Sequence, residues 1–564
     1  MTFDIVIKGG RVVDGSGIPW FKANIGINDG KITAVSRRKI DDVEKIIKAN
    51  GLVVAPGFIN PHGHFGREIH EENVVLQSLM QGVTLETTGT CGYAVHTMSK
   101  NSILSESYDW KTLQEWREKL EALGIGLNLA PFIGLGTIRT SVMGIEGEGG
   151  ERYRPTSDEM KEMEDIVREG MEDGAFGFTV GLNYEVQKNA STNEIVSLTK
   201  IVSEYGGVFM AHGRGKEWIQ EFIEICESTP IPGSWSHTAL AQIRKNMAYF
   251  YDARDRGVEV FFDCYPWMHG SGKSLGYWFL GHQFGKIKTP MMKRFKRIKD
   301  LDDPIFKEMA KRLEDEAEWA KIKAECIERI RILEEENEER RNVLEASGSN
   351  LVVAPLHDVK NLVGIVYSPS HPEFEGDDIN MPADLEDVKN ALGSEDFWEA
   401  ARELFIADKG KTLVVNAHGK LATARGKVGK RERHVIASYQ LPEAMVCSDA
   451  SHYITHPRGW GTWPKILQRY VRELNVLKLE QAVKKMTSLP AQFIGITDRG
   501  LIRQGNWADI VLFDPKNIMN KASYKSPREY PEGIPYVLVN GEVVVEEGSY
   551  TGALPGKVLR KHAF

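Results

Sequence analysis

Cysteine is scarce in this chain: five among 564 residues, at Cys91, Cys226, Cys264, Cys326 and Cys447. Their odd number and wide scatter argue against a disulfide framework and for a reducing compartment. Long apolar runs are lacking too. No uncharged stretch approaches the roughly 18 residues of a membrane span. The opening residues, Met1-Thr2-Phe3-Asp4-Ile5-Val6-Ile7, carry no basic start, no long apolar run and no small-residue cleavage site. The expectation is a cytoplasmic protein without a membrane partner. Basic charge is not in excess either. A net charge of −8 and a pI near 6.1 give no bulk drive toward nucleic acid.

What is present is a large core in prospect. Hydrophobic residues make up 41% and charged residues 27%, which argues against wholesale disorder. The length exceeds one ordinary compact domain unless that domain is a barrel with additions. Residues 3–54 alternate apolar and polar in a β manner, with Asn28-Asp29-Gly30 as a hairpin turn. From Leu52 the pattern becomes strand–helix alternation. Strands are expected at Leu52–Ile59, Val83–Gly92, Leu127–Gly134, Ala175–Thr179, Val208–His212, Pro232–His237, Val258–Asp263 and Ala444–Asp449, with helices such as Asp158–Glu172 and Thr192–Tyr205 between them. Eight such signals predict a (β/α)8 TIM-like barrel. Ile466–Thr487 reads as one helix. Beyond it Ala508–Phe513 and Tyr536–Val545 return to β, the latter folding back at Asn540-Gly541.

The expected organisation is a small β-sandwich built from both chain ends, 1–55 and 491–564, flanking a barrel over 56–490. Within the barrel, 273–350 breaks the alternation. Residues 304–344 have helical spacing and a charged face. This is read as a helical insertion placed like a lid near the barrel mouth, with a partner-binding helix as the alternative.

Chemistry concentrates at the predicted strand ends. In Pro61-His62-Gly63-His64 the two imidazoles alternate along an extended backbone and so share a face. Alone, H-x-H is a weak metal signal. Cys91, His212 and His237 end later strands, and Asp449 ends the last apolar run. Strand C-termini of a barrel face one mouth, so these groups are expected to converge. Imidazole and thiolate together suit zinc. Each alone reads more readily as a core residue; the joint pattern carries the inference. Asp449 would shuttle a proton as general acid/base beside a metal-activated water, which suits amide hydrolysis. A nucleophilic Cys91 with His212 as base is the weaker alternative. The remaining histidines are given structural or supporting roles.

These motifs resemble the D-aminoacylases, the N-acyl-D-amino-acid deacylases of the metal-dependent amidohydrolase superfamily. The resemblance rests on Pro56-Gly57-Phe58-Ile59 with His62-Gly63-His64, Gly89-Thr90-Cys91-Gly92, Gly174–Thr179 with Gly181-Leu182-Asn183-Tyr184, and Ala211-His212-Gly213-Arg214. It continues through Ser236-His237, Asp263-Cys264-Tyr265-Pro266-Trp267, Ser448-Asp449, His456–Thr462 and Met486–Ala491. It implies a tightly held zinc on Cys91, His212 and His237 and a looser second metal on His62 and His64. It further implies Asp449 as catalytic acid/base, Arg458 as partner of a substrate carboxylate, and Tyr265 and Tyr184 as pocket lining. Two positions depart from the pattern. Ala239 stands where the family has a carboxylate-binding lysine, and Phe65-Gly66 follow the H-x-H where an aspartate is usual. The hydantoinase type needs a lysine on its fourth strand, and Ala175–Leu182 has none.

Three readings follow. The first is a zinc amidohydrolase of N-acyl amino acids, with D configuration implied by the resemblance. The second keeps the metal site but takes a cyclic or other non-carboxylate amide, as Ala239 suggests. The third is a non-catalytic scaffold that works through the 304–344 helix. Self-association into a homo-oligomer stays open.

Overall fold

The computed structural model describes residues 2–40, 42–66, 72–98, 109–144, 154–184, 186–214, 218–237, 240–267, 273–274, 310–324, 327, 363–367, 370, 385–409, 413–416, 430–450, 456–524 and 526–561. Most of the expected 273–350 insertion, Cys326 and Ala239 lie outside these residues. Within the insertion, 310–313 and 316–324 are helical.

Both expected hairpins form at their turn residues. Asp29 and Gly30 adopt positive φ of 48° and 74° between Phe21–Asn28 and Lys31–Ser36. Asn540 and Gly541 do the same, at 50° and 82°, between Tyr536–Val539 and Glu542–Glu546. Two central residues with φ > 0 match the twist of the flanking strands. The two chain ends then meet. Val53–Pro56 pairs antiparallel with Ile510–Phe513 and parallel with Phe3–Val12, inside one nine-stranded sheet. Alternation gives this sheet two apolar faces. Ile5, Ile7, Ile25, Ile510 and Leu512 pack on one side. Val53, Ala55, Val511, Phe513 and Val537 turn the other way and join the largest core.

The middle of the chain builds two parallel sheets. Phe58–Phe65, Val83–Thr88 and Asn128–Pro131 form the first. Ile133–Gly134, Gly177–Gly181, Val208–His212, Gly233–Trp235, Val260–Cys264 and Ala444–Val446 form the second, in chain order. Only Phe132 separates Asn128–Pro131 from Ile133–Gly134. At the outer edges Gly63 and Ala450 make a parallel bridge, with His64 N donating to Ala450 O at 2.8 Å and Asp449 N to His62 O at 3.0 Å. Helices such as Leu113–Leu123, Ser157–Glu172, Thr192–Glu204 and Trp218–Ser228 cover the strands.

The strands are apolar on both faces, as covered parallel strands require. Phe209 and Ala211 face the large core. Val208, Met210, Ile59, Leu85, Phe132, Phe261 and Met445 share a separate core with Phe493 and Ile494 of the helix Ser488–Ile494. This second core draws on strands of both parallel sheets. Two residues beyond Met210 comes His212, and two beyond Phe261 comes Asp263. The strand period therefore sends both toward the same face.

Three expected elements divide: Leu52–Ile59 breaks at Gly57 into Val53–Pro56 of the terminal sheet and Phe58–Phe65 of the first parallel sheet, Leu127–Gly134 breaks at Phe132, and the last expected helix breaks as well. Instead of a single helix over Ile466–Thr487, a π-helical segment Ile466–Glu473 continues the helix Arg458–Lys465, and a separate helix spans Leu479–Met486. Asn475 takes a left-handed φ of 51°. Val476 and Leu477 both donate back to Tyr470 O, which ends the first helix. The apolar spacing continues across the break because both pieces pack on the same core.

A buried polar joint fastens the terminal sheet to the parallel strands. Asp509 pairs with Arg499, accepts from Asn128 Nδ2 at 3.2 Å and from Asn540 N at 2.7 Å. Arg499 and Asp509 are only 4% and 5% exposed. Replacing Asp509 by Ala leaves the guanidinium buried without its carboxylate. The expected loss is about 3–5 kcal/mol, read as a lower midpoint of thermal unfolding than the wild type. An unchanged midpoint contradicts it.

Candidate active site

Six of the residues singled out in the sequence meet at the ends of the parallel strands. Cys91 Sγ lies 3.3 Å from His62 Nε2, 3.7 Å from His237 Nε2 and 3.8 Å from His212 Nδ1. Asp449 Oδ1 lies 3.0 Å from His64 Nε2 and 3.6 Å from His62 Nε2. His212 and His237 thus each approach the Cys91 sulfur. Two triplets have all their donor atoms within 4.8 Å of one another among the described residues: His62, Cys91 and His237, and His62, His64 and Asp449.

This grouping differs from the one the resemblance implies. His62 belongs to both triplets and His212 to neither, although His212 keeps its reach to the thiol. The physical reason is the tether on His62. Its Nδ1 sits 3.2 Å from Asp263 Oδ1, which turns Nε2 toward Cys91. Tyr184, Tyr265 and Arg458 lie beside this cluster. The Tyr184 ring lies 5.5 Å from that of His212, and the Arg458 guanidinium stacks 4.8 Å over the Tyr265 ring. Arg458 Nη1 binds Asp449 Oδ2 at 2.7 Å, so the acid and the expected carboxylate-binding cation touch each other. Ala239 lies outside the described residues.

The backbone is strained where the chemistry sits. Cys91, His237 and Asp449 all have positive φ, at 50°, 31° and 45°. Side chains seldom occupy this region, and they cluster at functional sites when they do. Neighbours hold each one. Gln187 Nε2 donates to Cys91 O at 3.1 Å, and Gly92 N donates to Thr179 Oγ1 at 2.9 Å. His237 N donates to Asp263 Oδ1 at 2.8 Å.

Burial and charge work against each other here. Burial resists charging the Cys91 thiol, but the charges of His62 and His64 hold it well below the ordinary thiol range. Burial also disfavours the His62 imidazolium, yet Asp263 and Cys91 hold its pKa well above the usual value. His64 is pushed up to about 9 against burial, by Cys91 and its hydrogen bond with Asp449. Burial opposes the Asp449 charge, but Arg458 and His237 keep its carboxyl well below the usual range. Burial and the neighbouring His237 lower His212. His96, one of the histidines given a structural role, is pushed down to about 3 by burial and packs 4.6 Å from the Trp116 ring.

Asp263 received no role from the sequence. Its signal was there: an acid that closes the apolar run Val260–Cys264 at the same register as His212 on its own strand. Asn60 was also passed over. Its Nδ2 donates to Glu86 Oε2 at 2.6 Å and Ser448 Oγ at 2.8 Å, and its Oδ1 accepts from Ser448 N at 3.1 Å.

An amidohydrolase family model matches residues 448–545, which carry Asp449 and Arg458. D-aminoacylase of Alcaligenes xylosoxydans xylosoxydans is 24% identical over 580 residues, covering 100% of this chain and 98% of its own. N-acyl-D-aspartate deacylase of the same organism is 26% identical, covering 99% and 95%. N-acyl-D-glutamate deacylase from Bordetella bronchiseptica, solved with zinc and a phosphonate that mimics the tetrahedral intermediate, is 26% identical with a TM-score of 0.70, covering 99% of this chain and 100% of its own. The chain is a full-length homologue of the D-aminoacylases. These homologues are hydrolases of carbon–nitrogen bonds other than peptide bonds. A solved D-aminoacylase with a binuclear metal centre shares the fold, at 24% identity and a TM-score of 0.68.

Beneath the H-x-H strand, burial pushes Glu86 up to about 8 from 4.5, against hydrogen bonds from Ser78 and Asn60. A carboxyl raised on folding contributes stability that is full below pH 4.5 and is lost as pH rises through about 8. Glu86→Gln removes that loss. Its thermal midpoint is expected to gain on the wild type as pH rises across this window. A constant gap would show that Glu86 does not titrate there.

Proposed function

We propose that this chain is a zinc-dependent amidohydrolase of N-acyl amino acids, with N-acyl-D-amino acids as the favoured class. The observation that carries the reading is the convergence of His62, His64, Cys91, His212, His237 and Asp449 around one point, with Arg458 on Asp449. The full-length homologues named above support it. The architecture behind the proposal is a closed (β/α)8 barrel over 56–490 with a sandwich from 1–55 and 491–564. The Gly63–Ala450 bridge and the core shared by strands of both parallel sheets support that closure.

The donor set fits a divalent zinc. It offers a thiol held toward its thiolate, imidazole nitrogens and a carboxylate oxygen, the mixture that zinc prefers. Cys91 and His237, with His212 in reach, would hold the first ion, and His64 and Asp449 a second, weaker divalent metal; the single Nε2 lone pair of His62 would serve one of the two. When bound, zinc supplies Lewis acidity that lowers the pKa of water and polarises the amide carbonyl. The side chains do the rest. Asp449 takes the proton of the attacking water on its carboxylate and delivers it to the leaving nitrogen. Arg458 orients the substrate carboxylate. Its Nε is buried without a hydrogen-bond partner among the described residues, a donor free for such a ligand. Tyr265 beneath the guanidinium and Tyr184 beside His212 line the pocket. The proposed setting is the cytoplasm, which keeps the Cys91 thiol reduced. Among the described residues no helix is long and apolar enough to cross a membrane.

Two experiments test the reading. Stripping divalent metal with a chelator is expected to abolish amide hydrolysis, and zinc to restore it; Asp449→Ala is expected to lower kcat by on the order of 10²–10⁴. Activity that survives both treatments contradicts the proposal. In a panel of N-acyl-D-amino acids, N-acyl-L-amino acids and cyclic amides, the first group is expected to turn over fastest. Turnover of cyclic amides alone would transfer the assignment to that class, the outcome that Ala239 motivates.

A further inference from the structure

The Asp263 side chain touches residues from several of the strands that bear site residues. It sits on Val260–Cys264 and is fully buried. Its Oδ1 meets three donors. His237 N approaches to 2.8 Å, Cys447 Sγ to 3.0 Å and His62 Nδ1 to 3.2 Å. These donors come from the loop after Gly233–Trp235, the residue after Ala444–Val446, and the strand Phe58–Phe65. Oδ2 also lies 3.4 Å from His62 Nδ1. No other contact to this carboxylate is needed to explain its place.

A carboxylate offers acceptors only. The His62 nitrogen that faces it therefore carries hydrogen, and when the ring gives up its other proton to bind a metal the lone pair is left on Nε2. That nitrogen points at Cys91 Sγ, 3.3 Å away, and at Asp449 Oδ1, 3.6 Å away. The same oxygen anchors the amide of His237, whose backbone is left-handed at φ 31°. One carboxylate thus governs both imidazoles of the triplet His62, Cys91 and His237.

We propose that Asp263 is a positioning residue: it fixes the tautomer and ring direction of His62 and holds the His237 backbone, so that Nε2 of both rings face the Cys91 sulfur. The inference rests on the metal-site reading above. A buried partner on the far nitrogen of a ligating imidazole sets its orientation and basicity, and losing such a partner lowers metal affinity by roughly 10- to 100-fold.

The test has three parts. In the zinc-loaded wild-type protein, histidine-selective ¹⁵N spectra, with His62→Gln for assignment, are expected to show hydrogen on Nδ1 of His62. Hydrogen on Nε2 with bare Nδ1 overturns the proposal and needs no Asp263 variant to fold. Next, Asp263→Asn is expected to release zinc to a competing chelator at roughly 10- to 100-fold lower chelator concentration, and to shift the thiolate-to-metal charge-transfer band of the cobalt-loaded protein. Asp263→Glu, which keeps the carboxylate, is expected to recover part of the affinity. A purely structural Asp263 would lower the thermal midpoint and leave the zinc affinity and cobalt band of the folded protein unchanged, which also overturns the proposal. Last, combining His62→Ala with Asp263→Asn is expected to lower affinity less than the two single effects added together; full additivity counts against action through His62. If the wild type binds no zinc, the metal-site reading fails. If it binds zinc and the Asn variant binds equally well, only the role of Asp263 fails.

Discussion

Ionisable groups of both signs are buried at one point, and the rest of the structure has to accommodate that. A charge taken out of water carries a penalty of several kcal/mol unless opposite charge and hydrogen bonds replace the solvent. Here the replacements are specific. The Cys91 sulfur faces His62, Asp449 faces His64 and Arg458, and Asp263 faces His62. Apart from Asp449 and Arg458, the partners lie far apart in sequence. Those distant pairs exist because different parallel strands deliver the two partners.

That delivery demands uncommon backbone. Cys91, His237 and Asp449 stand in the left-handed region, at about 1–3 kcal/mol each. The chain has just left its strand at each point, and a left-handed residue bends the side chain back over the strand ends. The strain is held by groups already fixed in the core. Gln187 and Thr179 clamp the Cys91 turn, Asp263 the His237 turn, and the bridge at Ala450 the Asp449 turn. The apolar packing beneath, from Ile59 to Met445, provides the rigidity against which those hydrogen bonds act.

The core under the site also explains why the terminal sheet is there. Its one face buries Ile5, Ile25 and Ile510; its other face, through Val53, Val511 and Val537, joins the core of the parallel strands. The joint at Asp509, Arg499 and Asn128 keeps that docking in register. The strand Val53–Pro56, which belongs to the terminal sheet, is followed after one residue by the strand that carries His62 and His64. The terminal sheet thereby sets where the H-x-H strand begins.

Much of this was legible in residues alone. Period-two alternation located the N-terminal strands, apolar runs the parallel ones, and Asn-Gly and Asp-Gly turns the hairpins, because those signals are local and obey backbone sterics. His62, His64, Cys91, His212, His237 and Asp449 could be named as a group because strand ends carry a direction, and directions can be inferred from pattern. The break at Asn475 could not: helical spacing continues through it, and only the carbonyl of Tyr470 shows where the helix stops. Nor could the partners be assigned. That His62 shares itself between Cys91 and Asp449, that Arg458 grips Asp449, and that Asp263 gathers three donors are matters of ångströms between strands far apart in the chain. Local chemistry determined which residues could act. Distances set by close packing decided which of them touch, since a sequence encodes the faces of its elements but the fit between those faces arises only when they are pressed together.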